Sequence, residues 1–202
     1  MSVFVPLPLG QRIPASPHAV SCSLPTMASV RGYEEKNPDT MRHLTSGYPR
    51  FVVHPFAKQL AAHFIATDPS LTGRTLWLTT SERMARLLVA QLEAGGFSAL
   101  PFTRDGVHGA SHATDASAFA RAKTFLQNIG GFISSREAED QLVRRGLLAG
   151  PHAEQRFAGD ASAEVKSHLR AALPGASDRD LILAPCGMNS IHAAFTAAAG
   201  LQ

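Results

Sequence analysis

Two short stretches carry residue types suited to phosphate chemistry. In "TSGYPRF", Tyr48 and Arg50 flank Pro49, and an extended backbone turns both side chains to the same side. A phenol and a guanidinium aimed together make a phosphate clamp, although the same residues also fit a surface loop with a Tyr–Pro turn. In "LILAPCGMNSIHAAF", Gly187 and Met188 follow an apolar run and open a helix. Backbone N–H groups at the positive end of a helix dipole attract phosphate, and a glycine lets the ligand approach them closely. Many α/β proteins turn this way without binding anything, so the turn by itself is not specific.

Other reactive types are scattered. Cys186 stands at the same helix start, where a thiol is acidified, but no base is identifiable beside it, so it reads as a small packed residue rather than a nucleophile. His108 and His112 in "HGASH" are spaced for one helix face and a shared metal. Gly106 and Gly109 disfavour that helix, however, and no third ligand is evident. His54 and His63 read as packing or surface residues.

The elements that must position these groups alternate in type. "HPFAKQLAAHFIATD" places Phe56, Leu60 and Phe64 at helical spacing, with Pro55 in the first turn. "TLWLTT", "FSALPF" and "DLILAP" read as strands. "SERMARLLVAQLEAGG", "TDASAFARAKTFLQNIGG", "SSREAEDQLVRRGLL" and "DASAEVKSHLRAAL" read as helices with start and stop signals, Ser81 capping the first and Ser134 or Ser135 the third. This order predicts an α/β layer with a mainly parallel sheet. Residues 1–50, rich in Pro, Ser and Gly, read as an extended arm with one short helix near "MASVRGYEEKN".

Composition narrows the classes. The chain has 202 residues, 45% of them hydrophobic and 17% charged, with a formal net charge of +3. No aromatic-spaced basic stripe marks a nucleic-acid partner. The two cysteines, Cys22 and Cys186, are too far apart in sequence for a metal pair or a disulfide framework, which predicts a reduced, cytoplasmic protein. The prolines of "MSVFVPLPLGQRIP" argue against a secretory signal, and the weakly hydrophobic tail argues against a membrane span.

Taken together, Tyr48-Pro49-Arg50 and Cys186-Gly187-Met188 resemble two motifs of the cystathionine γ-synthase family, the pyridoxal 5'-phosphate (PLP) enzymes of cysteine and methionine metabolism. The series "PHAV…LPT…GYEE…GYPRF" is similar to the entry segment of its long, fungal-type members, and "GGFISSREAEDQL" resembles the end of their inserted α/β stretch. The resemblance implies an incomplete PLP-dependent transferase fold of type I, the large domain of the aspartate-aminotransferase kind, behind an N-terminal arm. Residues 1–54 would cross to a partner subunit, 55–180 would form a helix and the inserted region, and 181–202 would begin the PLP-binding domain. The amides of Gly187 and Met188 would hold the PLP phosphate, and Tyr48 and Arg50 would reach the phosphate of a neighbouring subunit's cofactor. Cys186 departs from the serine usual there, and a thiol is the poorer donor.

The family's cofactor-stacking Tyr, pyridine-pairing Asp and Schiff-base Lys all follow the Gly-Met turn. Lys36, Lys58, Lys123 and Lys166 all precede it, and none stands in a matching motif. From Leu181 to Gln202 the chain carries no Asp, Glu, Lys or Arg, as an internal piece of a large domain would. The resemblance therefore implies the N-terminal portion of an enzyme that replaces the γ-substituent of an activated homoserine with cysteine sulfur, inactive by itself. The related γ-lyases and sulfhydrylases remain open, as does a non-catalytic paralogue associating with full-length subunits. A self-contained nucleotide-binding module using the Gly187 turn is a third reading, which leaves the N-terminal series unexplained.

Overall fold

A computed structural model describes residues 5–44, 52–155 and 157–200. They divide into two compact units, Met1–His152 and Ala153–Gln202. In chain order the first unit holds β1 (Arg12–Ile13), β2 (Ser21–Cys22), α1 (Met27–Glu34), α2 (Pro38–Met41), α3 (Pro55–Thr67), β3 (Arg74–Thr79), α4 (Glu82–Glu93), β4 (Ala99–Arg104), β5 (Val107–Ala113), α5 (Ala116–Ile129) and α6 (Ser135–Arg144). The second holds α7 (Ala161–Ala172) and α8 (Gly187–Ala199). The mixed α/β class expected from the sequence is therefore present, and so is the short helix expected near "MASVRGYEEKN", which is α1.

The expected parallel sheet is not. The strands run β3-β5-β4, and both pairings are antiparallel. The cause is the dipeptide Asp105-Gly106, with φ of 49° and 77°. Two positive φ values make the two-residue turn whose twist suits a hairpin, so β5 folds straight back along β4. It then inserts between β4 and β3, which α4 had joined in the parallel sense. β5 was unforeseen because "VHGASHA" is built of small residues with poor strand propensity. Its smallness has a packing reason: a Cβ on Gly109 would lie 2.3 Å from the carbonyl oxygen of Trp77.

Helices cover both faces of this sheet. Leu76 and Leu78 share one apolar cluster with Leu60 and Phe64 of α3 and Leu142 of α6. Trp77 points the other way, to Met84, Leu88 and Leu92 of α4 and to Ala118, Ala122 and Leu126 of α5. Alternation along β3 thus feeds two half-cores. Each fully buried Leu contributes on the order of 2 kcal/mol of apolar transfer. The helix starts are fixed by Ser81, Asp115 and Ser134, whose side chains accept from the N–H groups of Met84, Ala118 and Glu137. Gly130, at φ 65°, ends α5 with the left-handed residue that a helix C-terminus favours.

The second unit departs from expectation at "DLILAP". Residues 181–184 join no ladder, and Ile182 is 87% exposed. An extended apolar segment without a neighbouring strand has no partner for its backbone, so strand propensity alone does not make it a strand. Neither α7 nor α8 has a buried residue.

Candidate functional site

Gly187 and Met188 form the first turn of α8, as the sequence predicts. Cys186 is the N-cap, with extended backbone (φ −159°, ψ 167°) and no side-chain hydrogen bond to the helix start. The positive dipole end of a 13-residue helix is thus left without a side-chain cap. A Cβ built on Gly187 would meet nothing within 4 Å. Ser190 fastens this turn by donating its hydroxyl to the Cys186 carbonyl at 3.3 Å. Tyr48 and Arg50 lie outside the described residues.

The lysines have other surroundings. Lys36 lies over the Tyr33 ring at 4.3 Å, Lys58 and Lys123 are carried by α3 and α5, and Lys166 of α7 approaches the Asp178 carbonyl at 3.4 Å. The histidines of "HGASH" stand on β5 rather than on a helix. His108 pairs with the Thr103 hydroxyl at 3.2 Å. Fully buried His112 accepts from the Trp77 indole N–H at 3.0 Å, which leaves its Nδ1 hydrogen to donate to the Ala113 carbonyl at 2.7 Å. Among the described residues, no group of three His, Cys, Asp or Glu side chains stands together as a metal site.

A cluster with no counterpart among the sequence expectations joins the N-terminal segment to α6. His18 is 8% exposed. Its Nδ1 lies 3.0 Å from the Ser135 hydroxyl and its Nε2 3.1 Å from a Glu139 carboxylate oxygen. The other carboxylate oxygen accepts the backbone N–H of His152 at 3.0 Å. His54 stacks near His18, with ring centroids 6.1 Å apart. Its Nδ1 accepts from the Phe56 N–H at 3.2 Å, so its Nε2 hydrogen donates to the Pro17 carbonyl at 2.7 Å. Burial lowers the pKa of His54 below the usual imidazole value, against the Pro17 hydrogen bond that raises it.

Hydroxyl, imidazole and carboxylate stand here in the order of a nucleophile relay. The cavity beside them holds only about 30 Å³, the room of a single water. No substrate carbonyl fits there, and the row instead pins residues 17 and 18 to α6. Its visible trace in the sequence is Ser135 and Glu139, four apart on one helix face and both facing inward.

The chain is 36% identical over 190 residues, 94% of its length, to an L-2-amino-4-chloropent-4-enoate dechlorinase/desaturase of Streptantibioticus cattleyicolor. It is 40% identical over 70 residues, 34% of its length, to a cystathionine γ-synthase of Neurospora crassa, and 45% identical over 53 residues, 26% of its length, to one of Saccharomyces cerevisiae. The resemblance to cystathionine γ-synthase-like proteins is thereby borne out. The chain spans 37% of the length of the first relative and 11% and 8% of the other two. No protein-family model matches it. No solved structure matches it either.

Proposed function

We propose that this chain is the N-terminal portion of a PLP-dependent enzyme of the cystathionine γ-synthase kind, acting on an amino acid that carries a leaving group at its γ-carbon. The observation that carries this reading is the similarity over 94% of the chain, supported by a helix start at Gly187 that has no side-chain cap hydrogen bond from Cys186. Bound PLP supplies the electron sink that makes Cα and Cβ protons of an amino acid removable. The chain's own part is binding: the N–H groups of Gly187 and Met188 hold the phosphate, and Tyr48 and Arg50 reach a neighbouring subunit's phosphate. The type I transferase fold, the arm's crossing between subunits and the assembly into a homo-oligomer belong to the same proposal. So do the boundaries 1–54, 55–180 and 181–202.

The substrate class has two forms. Cystathionine γ-synthesis replaces the γ-substituent of an activated homoserine with cysteine sulfur. The dechlorinase substrate carries chlorine at carbon 4, the same γ position, and the match to that relative is the longer one. The common step is departure of a γ-substituent, so the γ-lyase reading stands beside the synthase reading. Isolated, the 202-residue chain holds no lysine in a Schiff-base motif and is expected to form cystathionine only at background rate. A non-catalytic role, in association with full-length subunits, accounts for the same features.

The test is an amide NMR titration of the purified chain with inorganic phosphate and with PLP. Gly187 and Met188 shift first under this proposal. Unmoved Gly187 and Met188 signals at millimolar ligand overturn the phosphate role, and cystathionine formation well above background overturns the claimed inactivity.

A further inference from the structure

Two imidazoles tie the N-terminal segment to the body of the first unit. His18 reaches out from the segment, and Ser135 and Glu139 of α6 receive it. His54 reaches back from the N-cap of α3 and donates to the Pro17 carbonyl. The same carbonyl accepts from the Arg12 guanidinium of β1.

A proton acts differently on the two ties. His18 faces a carboxylate, so a positive charge on its ring meets a negative partner. His54 binds two neutral backbone groups, and both of its nitrogens are engaged in the neutral form. Nδ1 accepts the Phe56 N–H, and Nε2 carries the hydrogen given to Pro17. A second proton has to enter at Nδ1, donor against donor across 3.2 Å. The ring must then turn out of the cap, and in turning it drops Pro17. Burial disfavours the charged ring first, and Arg12 and His18 add to that, while Glu139 opposes it more weakly. Glu139 is already engaged by His18 and the His152 N–H, and the His152 ring stands at the edge of His18, not at His54. On α3 itself the nearest charge is Lys58, one turn along.

We propose that His54 is an acid-sensitive latch: protonation of its ring opens the hold on Pro17 and lets residues 10–23 undock from the start of α3 while the sheet stays folded. The proposal concerns contacts within this chain and does not depend on the phosphate reading.

The amides of Gly10 and Ser23 report the latch. They donate to the Ser23 and Gln11 carbonyls at 2.9 and 2.8 Å, and strands of two residues fray once undocked. Hydrogen exchange of the full 202-residue chain, corrected for the intrinsic effect of pH, is the measurement. Both amides are expected to exchange faster than β5 at every pH, since their opening is local. Below pH about 6.5 their opening is expected to rise by up to about tenfold per pH unit, until the lowered pKa of His54 is passed. His54→Gln keeps a donor for Pro17 and cannot titrate, so the rise should vanish. His54→Asn keeps an acceptor for the Phe56 N–H but has no atom where Nε2 stands, so the two amides should exchange at least about tenfold faster than in the parent at pH 8. Opening that does not change with pH, a rise that survives His54→Gln, an Asn variant protected like the parent, or Gly10 and Ser23 exchanging only as slowly as β5 would each overturn the proposal.

Discussion

Glu139 binds His18 with one carboxylate oxygen and the His152 N–H with the other, and it is almost wholly buried. Removing it strands an imidazole and an amide in a site too small to admit much water. Glu139→Ala is therefore expected to cost about 3 kcal/mol of unfolding free energy in a urea titration. His54 gives a second test. Its pKa is lowered in the fold, chiefly by burial, so the native state favours the neutral ring. Its contribution to stability is complete above the ordinary value of about 6.5 and is lost as pH falls through the folded value below that. His54→Gln should flatten the stability–pH curve in that interval and leave its slope near pH 8 unchanged; an unaltered slope within the interval contradicts the assignment. None of this was readable from residue types, because a buried His–Glu pair joins positions 18 and 139, which no local pattern connects. The Gly187–Met188 turn was readable, since a helix start is a local event.

At the scale of elements, the helices were legible and the sheet was only half so. α3, α4 and α5 each carry a local start signal and an apolar stripe: Pro55 opens α3, Ser81 caps α4 and Asp115 caps α5. β3 and β4 were recognisable as apolar runs. β5 hides because its interior is Gly, Ala and Ser, suited to closeness with Trp77 rather than to strand propensity. The segment "DLILAP" errs in the opposite way, having propensity without a neighbour. Two glycines of this hairpin should respond differently to one methyl group. Gly106, at φ 77° with open space around it, should lose about 1 kcal/mol on change to Ala, from backbone strain alone. Gly109→Ala drives a methyl against the Trp77 carbonyl and should cost more than about 2 kcal/mol, with the loss of native Trp77 fluorescence. Equal effects at the two sites would refute this account of β5.

For the molecule as a whole, both apolar clusters lie within the first unit. A chain ending at His152 is thus expected to unfold cooperatively in calorimetry, with a midpoint within a few degrees of the longer chain. A non-cooperative transition would mean that the second unit completes the core. The mixed α/β class followed from the order of helices and strands, but the direction of the sheet did not. A two-residue turn at Asp105-Gly106 decides it, and turns weigh little in a reading built on apolar periodicity.

β5 is hydrogen-bonded on both sides, to β3 and to β4, and lies beneath helices on both faces. In deuterated water its amides open only when the whole first unit opens, so they should exchange last and report the global unfolding free energy. The amides of α8, a helix with no buried residue, should exchange first. The strand least visible in the sequence thus becomes the slowest clock in the protein.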